Sequence, residues 1–339
     1  MSAPLAITGV GLVSSVGLSA PASCAAIRAK LTNPTETRFR DSAGGWIMGH
    51  QVALSQPWRG LTKLAKMAVM AIRECLAEIP CSDWPAIPLL LCVAERERPG
   101  RIAGLDEELF GEIQAELGAQ FSSASLIIPQ GRVAVGIALD RARRLIRERA
   151  APLVLIVATD SLLSWPPLSQ YDQQLRLLTK DNSDGFMPGE GAGAVLVAEA
   201  NDGRQVWCNG IGFGLEPAHI YSGEPLRGDG LTQAVKGALA EAGWGLQDID
   251  YRISDLTGEQ FYFKEASFAH TRLLRLRKEE FELWHPAESI GVTGATSSLA
   301  CVVLMYMAAV RDYAPGPRAV LQFGSDMGSR AAVVTFSGQ

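Results

Sequence analysis

Three segments of this chain occur twice in the same order, and no other feature limits its fold as tightly. Val154-Leu-Ile-Val-Ala-Thr-Asp160 matches Val320-Leu-Gln-Phe-Gly-Ser-Asp326 at an offset of 166 residues. The same offset lays residues 132–146 on residues 298–312 with no gap. Ile7-Thr-Gly-Val-Gly11 matches Cys208-Asn-Gly-Ile-Gly212 at a different offset. Each pair joins elements of one type. The chain therefore reads as an internal duplication, 1–202 and 203–339, with halves that meet near residue 203.

Within each half, apolar runs bounded by glycine alternate with helical spacing. Residues 5–10, 87–93, 153–158 and 193–198 are predicted as buried strands, as are 206–212, 253–255, 319–323 and 331–336. Residues 61–79 place Leu64, Ala65, Ala68, Ile72, Cys75, Leu76 and Ile79 on one helical face, and Pro80 is the expected stop. Residues 132–146, 231–242, 263–280 and 298–312 are predicted helices. Strands alternating with helices predict an α/β protein. A length of 339 residues fits such a duplicated unit, with a core that needs no disulfide or metal.

Composition excludes several functions. Charged residues are 20% of the chain, too few for a disordered state beside 47% hydrophobic residues. The net charge of -5 gives no support for binding nucleic acid or anionic membranes. Cys24, Cys75, Cys81, Cys92, Cys208 and Cys301 form no CxxC pair, so no zinc site, redox motif or cofactor is expected. They read as free thiols in a reducing compartment. The start, MSAPLAITGVGLVSS, has no basic segment or sustained apolar segment of a secretory signal. No apolar run reaches the roughly 18 residues of a membrane span. A soluble, cytoplasmic protein is expected.

Local motifs then point to a family. Leu5-Ala-Ile-Thr-Gly-Val-Gly-Leu-Val-Ser-Ser-Val-Gly17 resembles the opening strand and turn of β-ketoacyl synthases. Asp184-Gly-Phe-Met-Pro-Gly-Glu-Gly-Ala-Gly-Ala-Val-Leu-Val197 is very similar to their DGF-x-x-GEGAGA-x-x-V segment. Residues 231–259 resemble the second-half helix, strand and first histidine motif. Ser289-Ile-Gly-Val-Thr-Gly-Ala295 resembles the second histidine motif, and Phe323-Gly-Ser-Asp-Met-Gly-Ser329 the terminal glycine loop. The duplicated halves resemble the thiolase architecture, which implies a five-layer α-β-α-β-α sandwich.

In that family a cysteine at a helix N-terminus takes an acyl chain as a thioester, and two histidines assist decarboxylative condensation. The resemblance places the cysteine position near Arg132, or at Pro129 or Gln130, and no cysteine lies between Cys92 and Cys208. The hydroxyls of Ser122, Ser123 and Ser125 precede the expected turn. The family's His-Gly-Thr reads Thr257-Gly258-Glu259, and its Gly-His reads Gly291-Val292. Threonine cannot serve as an acid or base near neutral pH, and valine cannot hydrogen bond. Gly185, Phe186, Gly189, Gly191, Gly258, Gly291, Phe323 and Gly324 are the implied surroundings of this former active site.

No other residue is recommended as a replacement. His50, His219 and His285 read as loop residues, and His270 as a surface or packing residue on a helix. The basic runs at Arg141, Arg143, Arg144, Arg147 and Arg149, and at Arg272, Arg275, Arg277 and Lys278, read as solvated helix ends or as docking patches for an acidic partner. Glu95-Arg-Glu-Arg-Pro-Gly100 reads as a mixed-charge loop, and Trp46, Trp58, Trp84 and Trp165 as core or interface. The glycines from Gly185 to Gly193 lack the order of a phosphate loop, so nucleotide binding is not expected.

The resemblance implies a ketosynthase-like pseudoenzyme that acts as a structural, partner-binding or adaptor subunit. Chain-length-factor subunits are of this kind; they pair with an active ketosynthase and often carry glutamine at the cysteine position, where Gln130 is one of the three residues that could stand. The alternative is an acyltransferase, decarboxylase or hydrolase of acyl-CoA or acyl-carrier-protein thioesters with relocated residues. Implied partners are a second copy, a ketosynthase-like paralogue, acyl carrier protein or a secretion-associated protein.

Overall fold

A computed structural model describes residues 4–201 and 206–338. The junction expected near residue 203 lies outside the described residues. After β1 (Leu5–Val13) and α1 (Ala20–Arg28), the hairpin β2 (Thr35–Arg40) and β3 (Trp46–Gly49) leads to α2 (Gly60–Cys75). Then follow β4 (Leu89–Val93), α3 (Leu109–Leu117), β5 (Leu126–Pro129), α4 (Ala134–Arg147), β6 (Leu153–Ser161), α5 (Trp165–Gln173) and β7 (Glu190–Glu199). The chain continues through β8 (Val206–Leu215), α6 (Asp229–Ala242), β9 (Tyr251–Ser254), α7 (Gln260–Leu273) and β10 (Leu283–Trp284). It closes with α8 (Ala287–Ile290), α9 (Ala295–Val310), β11 (Arg318–Gly324) and β12 (Ser329–Ser337).

Ten strands join in the order β10-β9-β11-β12-β8-β1-β7-β6-β4-β5. Each run of five has one internal order: the third of its strands, then the second, fourth, fifth and first. In each run the fifth strand, β7 or β12, is antiparallel to both neighbours, and the others pair parallel. The runs meet where Leu5, Ala6 and Ile7 of β1 pair with β8. Helices α4 and α9 touch strands of both runs, so they lie between them. Helices α2 and α3 cover one outer face, and α6 and α7 the other. The result is the α-β-α-β-α sandwich. α9 is apolar on nearly every side, as a central helix must be.

The repeated glycines have a packing reason. A Cβ on Gly11 would come within 2.1 Å of the Ala71 carbonyl of α2, and one on Gly212 within 2.0 Å of the Ala234 carbonyl of α6. Bare backbone there lets each outer helix lie directly on its strand.

Two helices end early. α2 stops at Cys75, not at Pro80, because residues 77–79 fold into turns in which Ile79 N–H bonds the Leu76 carbonyl. α7 stops at Leu273, and the segment beyond is held against the turn between α6 and β9 by Lys278, whose ammonium takes the carbonyls of Gln247 and Ile249.

Candidate functional site

Three of the residues marked in the sequence line one cavity. Arg132, Thr257 and Val292 share it with Glu95, Arg176 and Asp326. Its volume is about 20 Å³, room for about one water. Of the other two candidates for the first position, Pro129 ends β5 and Gln130 is exposed. Gly131 turns Arg132 inward. Its φ is +52°, and a Cβ there would sit 2.1 Å from the Glu95 carboxylate, so only glycine fits.

Arginine–carboxylate pairs fill the space around that cavity. Arg132 Nη2 donates to Asp326 Oδ1 at 2.7 Å and to the Tyr262 hydroxyl at 3.0 Å, and Nη1 lies 3.8 Å from Asp255. Arg176 grips Glu259 with two parallel bonds of 2.7 and 2.9 Å, and reaches Asp326 Oδ2 at 2.7 Å. It also donates to the Tyr221 hydroxyl, and Tyr262 donates to Asp326. Thr257 donates its hydroxyl to Glu259 at 2.7 Å and has no acid–base role in this arrangement. Behind them, Arg98 joins Glu95 to Asp160, and Arg330 pairs with Glu265. Asp160 Oδ2 also accepts the N–H of Ala295 at 2.7 Å, capping α9. Val292 packs on the other side against Leu162, Tyr171 and Phe186.

Four arginines thus face six carboxylates, and burial competes with these pairings in setting the proton affinities. Burial pushes the Asp255 carboxyl up to about 6, against the pull of Arg132 and the Gly324 N–H. Burial likewise raises Glu265 despite Arg330. Asp326 goes the other way: burial opposes ionisation, but Arg176 and Arg132 override it and hold the carboxyl well below the usual carboxylate range.

Sequence reasoning missed most of this network. It read Glu95 and Arg98 as part of a mixed-charge loop and did not single out Asp160, Arg176, Tyr262 or Asp326 as site residues. One signal was available: Glu95, Asp160, Asp255 and Asp326 all stand at or just beyond the C-terminal ends of the parallel strands β4, β6, β9 and β11. That edge is where open α/β sheets build their sites. Asp160 and Asp326 are also the residues that close the repeated segment.

The other marked residues surround the cavity. Phe186 lines it. Gly185, Gly189 and Gly191 each press on backbone of another segment, Gly258 and Gly291 have positive φ, and Phe323 is core. Gly324 donates its N–H to Asp255 at 3.1 Å. His50 is buried rather than in an open loop; its ring packs on Gly291, and Nδ1 lies 3.4 Å from Ser15 Oγ. Burial lowers it to about 4. His270 is held between Arg252 and Gln322, and burial lowers it to about 3. Cys24 and Cys208 are raised by burial to about 12, and Cys75, Cys92 and Cys301 are raised too, so these thiols are poor nucleophiles.

Two surface readings change. Arg143 is not a solvated helix end: it is buried and pairs with Glu241 at 3.1 Å and Asp140 at 3.3 Å. Trp84 is core, but Trp46 and Trp165 are exposed, and Trp46 and Trp58 line a groove of about 770 Å³ beneath the β2–β3 hairpin. Among the described residues, no group of His, Cys, Asp and Glu is placed to hold a metal ion, and no helix is long and apolar enough to cross a membrane.

Known proteins agree with this fold. No protein-family model matches the chain. It is 32% identical over 165 residues to the actinorhodin polyketide beta-ketoacyl synthase 2 of Streptomyces coelicolor, a match covering 44% of this chain and 39% of that protein. It is 30% identical over 131 residues to the mitochondrial 3-oxoacyl-[acyl-carrier-protein] synthase of Schizosaccharomyces pombe, covering 36% of this chain and 30% of that one. The matches span well under half the length of these curated relatives. Among solved structures, the ishigamide ketosynthase/chain length factor superposes with a TM-score of 0.80 at 17% identity over 100% of both chains. A ketosynthase in complex with its chain length factor from Xenorhabdus doucetiae superposes at 0.78 and 12% identity, covering 99% of this chain and 98% of that one. Fold and motifs define a ketosynthase-like protein of the thiolase fold.

Proposed function

We propose that this chain is a non-catalytic ketosynthase-like subunit whose role is to bind a partner. The observation that carries this reading is the filled cavity. The positions that the family uses for a nucleophile and two imidazoles hold Arg132, Thr257 and Val292, and their side chains close on a space for about one water. An acyl chain has no room there, and among the described residues that line it there is no thiol or imidazole.

The partner surface we assign is the outer edge of β5. This strand is bonded to β4 on one side only and ends the sheet, and Leu126 and Ile127 are only half-buried. A bare edge of this kind accepts another strand. Structures titled as ketosynthase with chain length factor supply the analogy for a ketosynthase-like partner. Sedimentation velocity tests it. A dimer of the chain alone identifies a second copy as the partner; a monomer that dimerises only with a ketosynthase identifies a paralogue. In either case Ile127→Arg should abolish pairing. A monomer under both conditions, or a dimer indifferent to Ile127→Arg, would refute the assignment.

One observation favours the enzymatic alternative. Ser15 and His50 form a hydroxyl–imidazole contact beside Gly291, and burial keeps His50 neutral near pH 7, as a general base must be. That reading predicts an acyl adduct on Ser15 that Ser15→Ala removes.

A further inference from the structure

A second kind of site lies between the end of α1, the β10–α8 connection and α9. It is a cleft of about 400 Å³, within the range of small-molecule pockets. Ile27, Leu283, Trp284, Leu304 and Tyr313 make its apolar walls. Its charges are unbalanced in what they touch. Glu282 accepts the Trp284 indole N–H at 2.7 Å, and Glu288 lies 3.1 Å from His285 Nε2. Arg28 and Lys30 meet no carboxylate among the described residues. Arg28 instead lies over the Tyr313 ring, with its Cζ 4.4 Å from the ring centre. Lys30 is fixed at the rim by the turn that ends α1, in which Lys30 and Leu31 donate to the Ile27 and Ala26 carbonyls. The Tyr313 hydroxyl is buried in this wall with no hydrogen-bond partner among the described residues.

A guanidinium stacked on a ring leaves its N–H edge free, and that planar edge matches the two oxygens of a carboxylate. We propose that this cleft binds a carboxylate carried on an aryl or short alkyl body. The carboxylate lies between Arg28 and Lys30, and the body lies against Trp284 and Leu304. The site is independent of the filled cavity and of the β5 edge.

Calorimetric titration of the full chain tests it, with 2-naphthoate and octanoate against their amides. Both acids should bind saturably at one site, and the amides at least about tenfold more weakly. Arg28 is exposed at a helix end, so Arg28→Met should fold normally; it should weaken the acids about tenfold or more and leave the amides unchanged. Lys30→Met should act in the same direction. Arg59→Met, in the groove beneath the β2–β3 hairpin, should change nothing. The proposal fails if neither acid binds saturably, if acid and amide bind equally, or if Arg59→Met and not Arg28→Met removes binding.

Discussion

Leu175 holds a left-handed φ of 55° while 71% of its surface faces water. It occupies the turn after α5, where Leu175 and Arg176 donate to the Asp172 and Tyr171 carbonyls, a position that glycine usually fills. The turn aims Arg176 at Glu259 and Asp326. Its side chain packs on little, so Leu175→Gly should stabilise the fold by about 0.5–1 kcal/mol, read as a higher urea midpoint at unchanged slope. A lower midpoint would show that Leu175 is held by packing. Asp255 carries strain of another sort. Its folded value of about 6 lies above the roughly 3.9 of an unfolded chain, so the folded protein holds this proton more tightly. The stabilisation from that proton is full below about pH 4 and is lost as pH rises through about 6. Asparagine does not titrate. The stability of Asp255→Asn relative to the native chain should therefore rise by about 1–3 kcal/mol between about pH 4.5 and 7.5 in urea titrations. A difference constant over that range would contradict the account.

At the scale of elements, the network is a joint between segments far apart in sequence. Arg132 enters from the turn before α4, Arg176 follows α5, Asp326 sits in the β11–β12 turn, and Glu259 precedes α7. Their mutual attraction offsets the desolvation of each charge, so removing one partner strands the others. Arg132→Met should destabilise the chain by about 3–5 kcal/mol, since Asp326 and Asp255 lose a shared cation. Adding Asp326→Asn should return part of that loss, at least about 1 kcal/mol, in a double-mutant cycle by urea denaturation. Strict additivity of the two substitutions would show that they do not act on one network. The glycine pairs of β1 and β8 belong to this scale too. They were legible as a sequence match, and their reason, the contact of α2 and α6 with bare strand backbone, appears only once the layers are assembled.

For the whole molecule, the fold was legible because it rests on repetition and on apolar runs that specify buried strands locally. The strand order repeats with the sequence, and the DGF-x-x-GEGAGA-like segment forms the start of β7 and its approach. The departures from the family motifs were legible as well, since Thr257 and Val292 stand beside the retained Gly258 and Gly291. The charged network around them was not. Arg176 and Asp326 are 150 positions apart, and nothing in spacing tells that an arginine after one helix meets an aspartate in a distant turn. Glu95 and Arg98 read only as a mixed-charge loop, because charge predicts exposure unless a partner is known. On the proposed function, this closed, charge-filled site forms no acyl-enzyme. Intact-mass measurement after incubation with a panel of acyl-CoA and acyl-carrier-protein thioesters tests it most directly. The account predicts an unchanged protein mass with every thioester. A stoichiometric gain of one acyl group would contradict it, and mapping the modified residue would show which side chain does the chemistry.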